Sequence, residues 1–233
     1  MLLTPQEPQA LTIPLWGVLA ASYLMGALPF GFLFARLKGI DLRAVGSGNI
    51  GATNTMRALG RGWGLTAFFL DFAKGWFPLA FLATLVSAAD LGDLDLRAVQ
   101  VMCGTAAVLG HCFPVYLRFR GGKGVATGCG AIVGLDPMVF LGAGLVWVAV
   151  MLTLRFVGLA SILMGAAFPI LAWWRHPEDE ATLIGASLLT LLIVVRHRAN
   201  ISRMLAGTEP RSRPLIGARR PTPPGDVTEG SDD

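Results

Sequence analysis

Six long apolar runs constrain this chain more than any other feature of its sequence. They lie at about 11–37, 63–87, 97–117, 137–154, 157–174 and 181–195. A helix needs roughly 20 mostly apolar residues to cross the hydrocarbon core of a bilayer. Only 15% of the residues are charged and the mean hydropathy is +0.61, which is typical of a membrane protein and not of a soluble domain.

A seventh apolar stretch, KGVATGCGAIVG at 123–134, is short and rich in glycine. Hydropathy alone does not decide whether this stretch crosses the membrane. The positions of Lys and Arg can decide it, because these residues concentrate in cytoplasmic loops. Seven spans with the N-terminus outside place every basic residue on the inner side except Lys74, Arg97 and Arg175. We therefore predict an all-α integral membrane protein with seven transmembrane helices, a periplasmic N-terminus and a cytoplasmic C-terminus.

The domain organisation follows from the same reading. Residues 1–205 are predicted to form one transmembrane domain, while 206–233 are rich in Pro, Gly and charge and are predicted to be a disordered cytoplasmic tail. Residues 1–10 contain no Lys or Arg, so we expect no cleaved signal peptide. The three cysteines lie in apolar runs without C-x-x-C spacing, which favours buried thiols over a disulfide or a zinc site.

The stretch GSGNIG at 46–51 fits the G-x-G-x-x-G pattern of a dinucleotide-binding turn. That pattern is informative only between a strand and a helix of a βαβ unit. Here it follows an apolar run and a short basic link, and Asp71, twenty residues beyond Gly51, lies inside another apolar run. The dinucleotide reading is therefore rejected, which leaves either close helix packing and tight turns or binding of another phosphate.

The neighbours of these glycines favour a phosphate. Hydroxyl, amide and guanidinium donors follow within a few positions, at Ser47, Asn49, Thr53, Asn54 and Arg57. Backbone N–H groups opened by glycine, together with such donors, suit an anionic ligand. If this segment is helical, Thr53 and Arg57 share a face.

A second glycine cluster, RFRGGKGVATG, spans 118–128. It is not a Walker A loop, because a glycine and not Ser or Thr follows the lysine. Gly121, Gly122 and Gly124 nevertheless expose backbone around Lys123, just before a predicted helix N-terminus that attracts anions. An ordinary positive-inside loop would explain the flanking arginines, but not three glycines around one lysine.

A third cluster, RHRANISR at 196–203, follows the last apolar run. His197, Asn200 and Arg203 recur at i, i+3 and i+6, so a helix would align them on one stripe. A basic stop at the cytoplasmic boundary would explain the arginines and leave the histidine and the asparagine unexplained.

Four polar residues within the apolar runs bear on function. Asp71 and Lys74 are three apart, and ionisable groups inside a membrane tend to pair or to face a polar cavity. We expect them to pair with each other or to support the phosphate loops, and not to take part directly in chemistry. His111 is predicted to be a buried, hydrogen-bonded histidine rather than a catalytic one. Ser161, near the start of the run at about 157–174, is positioned to line the same cytoplasmic cavity as the loops.

The sequence lacks the common catalytic signatures. There is no G-x-S-x-G elbow, no histidine–glutamate zinc motif, and no acidic residue five positions after any of the three histidines. What remains is three donor-rich clusters on one predicted membrane face.

Three stretches in this order, GSGNIGATNTMRALG, GHCFPVYLRFRGGKGVAT and HRANISR, resemble the three motifs of the bacterial acyl-phosphate-dependent glycerol-3-phosphate acyltransferases, the PlsY family. DFAKG at 71–75 is similar to the second-span pattern of that family. The resemblance runs from about residue 20 to about 206, with no departure inside the motifs, and leaves out the C-terminal segment.

The resemblance implies a seven-helix enzyme of the bacterial inner membrane with its active site at the cytoplasmic face. It would transfer a fatty acyl group from acyl phosphate to the sn-1 hydroxyl of glycerol 3-phosphate, the first step of phospholipid biosynthesis, giving lysophosphatidic acid and phosphate. Four residues are expected to be catalytic: Ser47, Lys123, His197 and Asn200. Nine more are expected to bind substrate: Asn49, Thr53, Asn54, Arg57, Gly121, Gly122, Gly124, Ser161 and Arg203.

The implied chemistry needs no nucleophile from the enzyme, because acyl phosphate is an already activated mixed anhydride. Positioning of the hydroxyl and stabilisation of developing charge would suffice. We expect no metal and no cofactor, membrane lipids as neighbours, no nucleic-acid partner, and the enzyme that makes acyl phosphate as a candidate partner. The rival interpretations are a transporter of a phosphorylated metabolite and a lipid-binding scaffold without turnover.

Overall fold

The computed structural model describes residues 12–212, and the regular structure in this part of the chain is helical apart from one isolated backbone bridge between Ile13 and Val86. Short 3₁₀ turns lie at Leu82–Leu85 and Val115–Leu117. The α-helices are α1 Leu15–Gly26, α2 Phe30–Leu37, α3 Ala52–Leu59, α4 Arg61–Ala80, α5 Ala88–Leu91, α6 Leu96–Cys112, α7 Val125–Leu135, α8 Pro137–Thr153, α9 Val157–Arg175, α10 Glu180–Arg196 and α11 Arg198–Leu205.

All seven apolar stretches of the sequence are helical, but not all are long enough to span a bilayer by themselves. Four helical segments of the described chain meet the length and hydropathy of a membrane span: Leu15–Leu37, Arg61–Leu85, Leu96–Leu117 and Val157–Arg175. The pair α10 and α11 would be a fifth, bent by 55° at its break. α7 and α8 are shorter apolar helices of 11 and 17 residues, so the number seven stays a prediction.

The short helix α7 lies at the centre of the bundle. At 1.5 Å per residue it is roughly 16 Å long, about half the thickness of the hydrocarbon core. Every residue from Ala126 to Ile132 is buried, so neighbouring helices and not lipid surround it. Glycines bring it against α4: a Cβ on Gly75 or on Gly130 would overlap a backbone carbonyl of the other helix.

The largest apolar core surrounds α7 and joins it to its neighbours. It contains Phe168 of α9, Ile193 of α10 and Val139 of α8, all at most 2% exposed. A smaller core of Ala35, Leu42 and Ile50 fixes the loop between α2 and α3. The exposed large apolar side chains, including Trp16, Leu145 and Trp174, lie on the outside of the bundle, where lipid would contact them.

The packed chain extends beyond the predicted start of the tail at residue 206. The backbone N–H of Ser212 donates to the carbonyl of Arg155 at 2.8 Å. The Arg211 guanidinium lies 5.3 Å from the centre of the Phe156 ring. Residues 209–212 therefore contact the bundle, and the rest of the predicted disordered tail after residue 212 lies outside the described residues.

Candidate active site

The first glycine loop is built around the side chain of Asn54, which is 1% exposed. Its Oδ1 accepts a hydrogen bond from the backbone N–H of Ser47, and its Nδ2 donates to the carbonyls of Leu42 and Val45, each at 3.0 Å. A Cβ on Gly46 would overlap Asn54 Oδ1. The amide of Asn54 thus holds the loop backbone in place. Both of its polar atoms take part in these hydrogen bonds, whereas the sequence predicts that Asn54 binds substrate.

The other donors of this loop remain accessible. Gly46 and Gly48 both have positive φ, at 59° and 67°, a backbone conformation that residues other than glycine rarely adopt. This path leaves the side chain of Ser47 exposed and that of Asn49 partly exposed. The predicted helix is present as α3, with Thr53 exposed in its first turn.

The second glycine loop is fastened on two sides. From α6, the carbonyl of Cys112 accepts from the N–H of Gly121 at 3.2 Å and that of His111 accepts from the N–H of Gly122 at 3.0 Å. From α10, the Arg196 guanidinium donates to the carbonyls of both glycines, at 2.8 and 2.9 Å. The loop is therefore held in shape before any ligand binds.

Gly124 is the last residue of this loop and directly precedes α7. Its φ is +80°, and a Cβ at this position would lie 3.0 Å from the Sγ of Cys112 and 3.1 Å from a methyl group of Val108. The thiol of Cys112, buried like those of the other two cysteines, thus packs directly behind the loop. The amides of the first turn of α7 follow at once, in the arrangement that attracts anions.

Lys123 connects the second loop to the third cluster, because its Nζ donates a hydrogen bond to Oδ1 of Asn200. The Nδ2 of Asn200 donates to Oε1 of Glu209 at 2.6 Å, and Oε2 of Glu209 accepts from Nε of Arg203 at 2.7 Å. The carboxylate of Glu209 therefore holds Asn200 and Arg203 of the third cluster together. Glu209 lies in the segment that the sequence predicts to be the tail.

His197 sits at the bend between α10 and α11 and is 2% exposed. Its Nδ1 lies 2.8 Å from the carbonyl oxygen of Ile193. A carbonyl can only accept, so Nδ1 carries the proton and Nε2 of the neutral ring is an acceptor. The histidine can therefore receive a hydrogen bond from a hydroxyl group.

The charges around Lys123 tie the three clusters together. Burial, assisted by the guanidinium groups of Arg203, Arg57 and Arg196, lowers the pKa of Lys123 to about 8, against an opposing effect of Glu209. Arg57 of the first cluster is thus within electrostatic range of the second loop. Four cations and one carboxylate leave a local excess of positive charge, which suits a phosphate.

Ser161 lies beside this group on α9 and is 3% exposed. Its hydroxyl donates to the carbonyl of Val157 at 2.9 Å, so the oxygen retains lone pairs that can accept. Gly158, one turn earlier, packs against Asn200: a Cβ there would lie 2.9 Å from the Nδ2 atom. α9 therefore contacts the third cluster at Gly158, and the predicted role of Ser161 stays a prediction.

The structure joins some predicted residues more closely than others. Lys123, Asn200 and Arg203 belong to one hydrogen-bonded chain, and His197 and Ser161 flank it. Within the described residues, no side-chain hydrogen bond connects Ser47, Asn49 or Thr53 to the other two clusters. Arg196 and Glu209 were missed because an arginine beside a span and an acid beyond the last helix carry no periodic signal.

Fold and site together define an all-helical protein with membrane-length apolar helices and a group of cationic side chains around a glycine loop and one carboxylate. The family model described as glycerol-3-phosphate acyltransferase matches residues 16–207. The glycerol-3-phosphate acyltransferase of Aquifex aeolicus is 45% identical over 191 residues, which cover 82% of this chain and 95% of the relative. That of Dinoroseobacter shibae is 42% identical over 218 residues, covering 91% and 99%.

Two solved structures of PlsY, an integral membrane glycerol 3-phosphate acyltransferase, have the same fold. The glycerol 3-phosphate form superposes with a TM-score of 0.77 at 40% identity, covering 85% of this chain and 96% of that one. The lysophosphatidic acid form gives 0.74 at 38% identity, covering 84% and 94%. The chain belongs to the glycerol-3-phosphate acyltransferase family and is an integral membrane acyltransferase of phospholipid synthesis.

Proposed function

We propose that this protein transfers a fatty acyl group from acyl phosphate to the sn-1 hydroxyl of glycerol 3-phosphate and releases lysophosphatidic acid and phosphate. One observation carries the proposal: the site holds Lys123, its glycine loop and several arginines around one carboxylate, and within the described residues neither Ser47 nor Ser161 has a general base hydrogen-bonded to its hydroxyl. Such a site can bind two phosphates, and it suits a donor that is already activated. The two PlsY forms support the acceptor and the product.

The donor phosphate is assigned to the second loop. The amides of Gly121, Gly122 and Gly124 and the start of α7 supply N–H groups, and Lys123 supplies the charge. Ser161 contributes its hydroxyl from α9. Arg196 does not need to touch substrate, because it fixes the loop carbonyls from behind.

The acceptor is assigned to the first and third clusters. Ser47 and Arg57 bind the phosphate of glycerol 3-phosphate, with Asn49 and Thr53 as further donors of the same loop. His197, Asn200 and Arg203 hold the glycerol end from α11. Asn54 supports this binding through the loop backbone that it organises.

Transfer then proceeds by direct attack, without an acyl-enzyme. The sn-1 oxygen forms a bond to the carbonyl carbon, the bond from that carbon to the phosphate oxygen breaks, and phosphate leaves. The hydroxyl proton passes to the phosphate group of the acceptor itself, while Nε2 of His197 accepts a hydrogen bond from the second hydroxyl of the glycerol and so orients the molecule. Lys123 and the loop amides stabilise the leaving phosphate, the kind of preorganised electrostatic contribution that dominates many enzymes.

The proposal includes seven spans in the bacterial inner membrane, with a periplasmic N-terminus, a cytoplasmic C-terminus and the active site at the cytoplasmic face. Its support is the distribution of basic residues, together with the enclosure of α7 by protein, which lets a short helix complete a span. Labelling of single cysteines placed at 93 and at 208 from either side of sealed vesicles tests it. Reaction from the same side would refute this topology.

One experiment tests the reaction. Purified protein is mixed with palmitoyl phosphate and labelled glycerol 3-phosphate, and phosphate and lysophosphatidic acid are measured. We expect the two products in equal amounts. Binding of either substrate without products would favour a scaffold, and passage of label into sealed vesicles without products would favour a transporter. Label trapped covalently on the protein would refute direct attack.

A further inference from the structure

We propose that Asp71, Lys74 and His111 form a buried positioning link that sets the separation of the two phosphate-binding loops. The inference rests on the proposed function, since it concerns how two bound anions are brought to reacting distance. These three side chains lie in α4 and α6 and belong to neither loop, and none of them contacts the residues assigned to substrate through a side-chain hydrogen bond.

The centre of the link is an ion pair inside α4. Asp71 Oδ1 lies 2.7 Å from Lys74 Nζ, and both side chains are 3% exposed. The predicted pairing of these residues is thereby confirmed. Two ionised groups are costly to bury, and replacing such a pair by apolar residues is often neutral for stability. Stability alone therefore gives no reason for the pair to be charged.

One arm of the link leads to the first loop. Lys74 Nζ donates to the carbonyl of Leu28 at 2.6 Å, at the break between α1 and α2, and lies 5.6 Å from the centre of the Phe30 ring. α2 starts at this point and carries the first loop at its other end. Its Gly31 packs so closely on the backbone of Ile50 that a Cβ would overlap the carbonyl oxygen.

The other arm leads to the second loop through His111. Its Nδ1 lies 3.6 Å from Asp71 Oδ1 and has no hydrogen-bond partner among the described residues. Its carbonyl accepts the N–H of Gly122, and its ring lies against the same glycine, where a Cβ would overlap Nε2. The buried ring, expected to be hydrogen-bonded, instead stands 3.6 Å from a carboxylate and packs directly under Gly122, so it forms the floor of the second loop.

Both arms start from positions one turn apart on the same helix. α4 therefore fixes where each loop stands relative to the other, while the loops themselves supply the contacts to substrate. In a reaction between two bound molecules, a misplacement of about 1 Å can cost roughly 100-fold in rate. A defect in the link should accordingly reduce kcat more than it reduces binding of either substrate.

The test replaces the ion pair by neutral side chains of similar size, in the double variant Asp71→Asn/Lys74→Met of the full-length protein. We expect thermal unfolding within a few degrees of wild type, binding of glycerol 3-phosphate within about 3-fold, and kcat reduced 10-fold or more. The matched control is Thr182→Val, which replaces a buried hydroxyl without a hydrogen-bond partner among the described residues, in the first turn of α10 at the opposite end from His197, and should leave all three quantities unchanged. Wild-type kcat in the folded double variant would overturn the inference.

A second pair of variants keeps the test decisive if the double variant does not fold. His111→Asn retains an amide facing Asp71, whereas His111→Ala retains nothing. We expect His111→Asn to recover a clear part of the kcat lost in His111→Ala, at equal amounts of folded protein. Equal kcat in the two folded variants would contradict the link. Absence of transfer by the wild type would refute the proposed function itself, and with it this inference.

Discussion

The side chain of Lys123 donates a hydrogen bond to that of Asn200, 77 residues further along the chain. Because Asn200 in turn donates to Glu209, the second glycine loop and the helix α11 form one hydrogen-bonded unit. A change at any member of this unit should therefore affect the charge of the lysine or its position.

Lys123→Ala is expected to abolish transfer while the protein remains folded. The substitution removes the ammonium group that binds and stabilises the leaving phosphate, which we expect to lower kcat/KM at least 100-fold. Lys38→Ala is the matched control, because Lys38 is exposed and lies over the ring of Trp63, away from the loop. Activity of Lys123→Ala within a few-fold of wild type would exclude the assigned role.

The activity of the free enzyme should fall as the pH rises above about 8. The pKa of Lys123 is lowered to about 8, so the side chain is protonated below this pH and loses its charge above it. We expect kcat/KM for the acyl donor to follow this titration. A profile that stays flat up to pH 9.5 would contradict the prediction.

Glu209→Gln should move that pH midpoint downward. The carboxylate of Glu209 raises the pKa of Lys123, so its neutralisation leaves burial and the guanidinium groups of Arg203, Arg57 and Arg196 less opposed. The pH dependence of kcat/KM, compared with wild type in the same lipid, measures the shift. An upward shift would mean that another group controls the profile.

Two truncations test where the functional chain ends. A protein ending after residue 212 retains Glu209 and the backbone bond of Ser212 to Arg155, and should keep wild-type activity. A protein ending after residue 206 loses both contacts and should lose activity 10-fold or more, together with thermal stability. Equal activity of the two proteins would show that the contacts of 207–212 are dispensable.

Asn54→Ala should damage the first loop through its backbone. The substitution removes three hydrogen bonds from a buried site, which costs about 3 kcal/mol of unfolding free energy when loop groups are left unpaired. We expect a lower melting temperature and a higher KM for glycerol 3-phosphate. Ser187→Ala, at an exposed hydroxyl bonded only within α10, is the control that should change neither.

Acid should weaken the opposite end of the bundle. Burial would raise the pKa of Asp136, but hydrogen bonds from Arg175, His176 and the start of α8 lower it to about 2. The carboxylate therefore stabilises the fold above its ordinary pKa of 3.8, and this contribution is lost as the pH falls toward 2. Because both partners are about one-third exposed, we expect on the order of 1 kcal/mol, measured as a pH-dependent melting temperature that Asp136→Asn lacks.

The ends of a helix can be predicted from sequence where a local signal, such as a capping residue, sets them. The apolar run at about 181–195 becomes α10 at Glu180–Arg196, because the side chain of Asp179 caps its first turn and a basic residue ends it. The run at about 11–37 hides a break after Gly26, since its hydropathy stays high across the gap between α1 and α2. The central place of α7 depends on contacts with five other helices, α4, α6, α8, α9 and α10, and no local pattern records such contacts.

The candidate site, too, can be predicted from sequence only in part. Lys123 stands out in sequence because three glycines surround it, and the structure places it among the other cations. Asn54 is a donor of the same chemical type as Asn49, yet its amide serves the loop backbone, which composition cannot reveal. Glu209 escaped notice because a chain that turns back after its last helix makes its contacts without periodic spacing.

The thiol of Cys112, which lies behind Gly124, can be used to detect movement of the second loop. Cys112 is one of three cysteines, all buried, and it contacts the glycine at the end of the second loop. A thiol reagent can reach it only when that loop separates from α6. In a variant that keeps Cys112 as its only cysteine, the rate of reaction with such a reagent would therefore report loop opening, and its slowing by a phosphate compound would give the occupancy of the site without turnover.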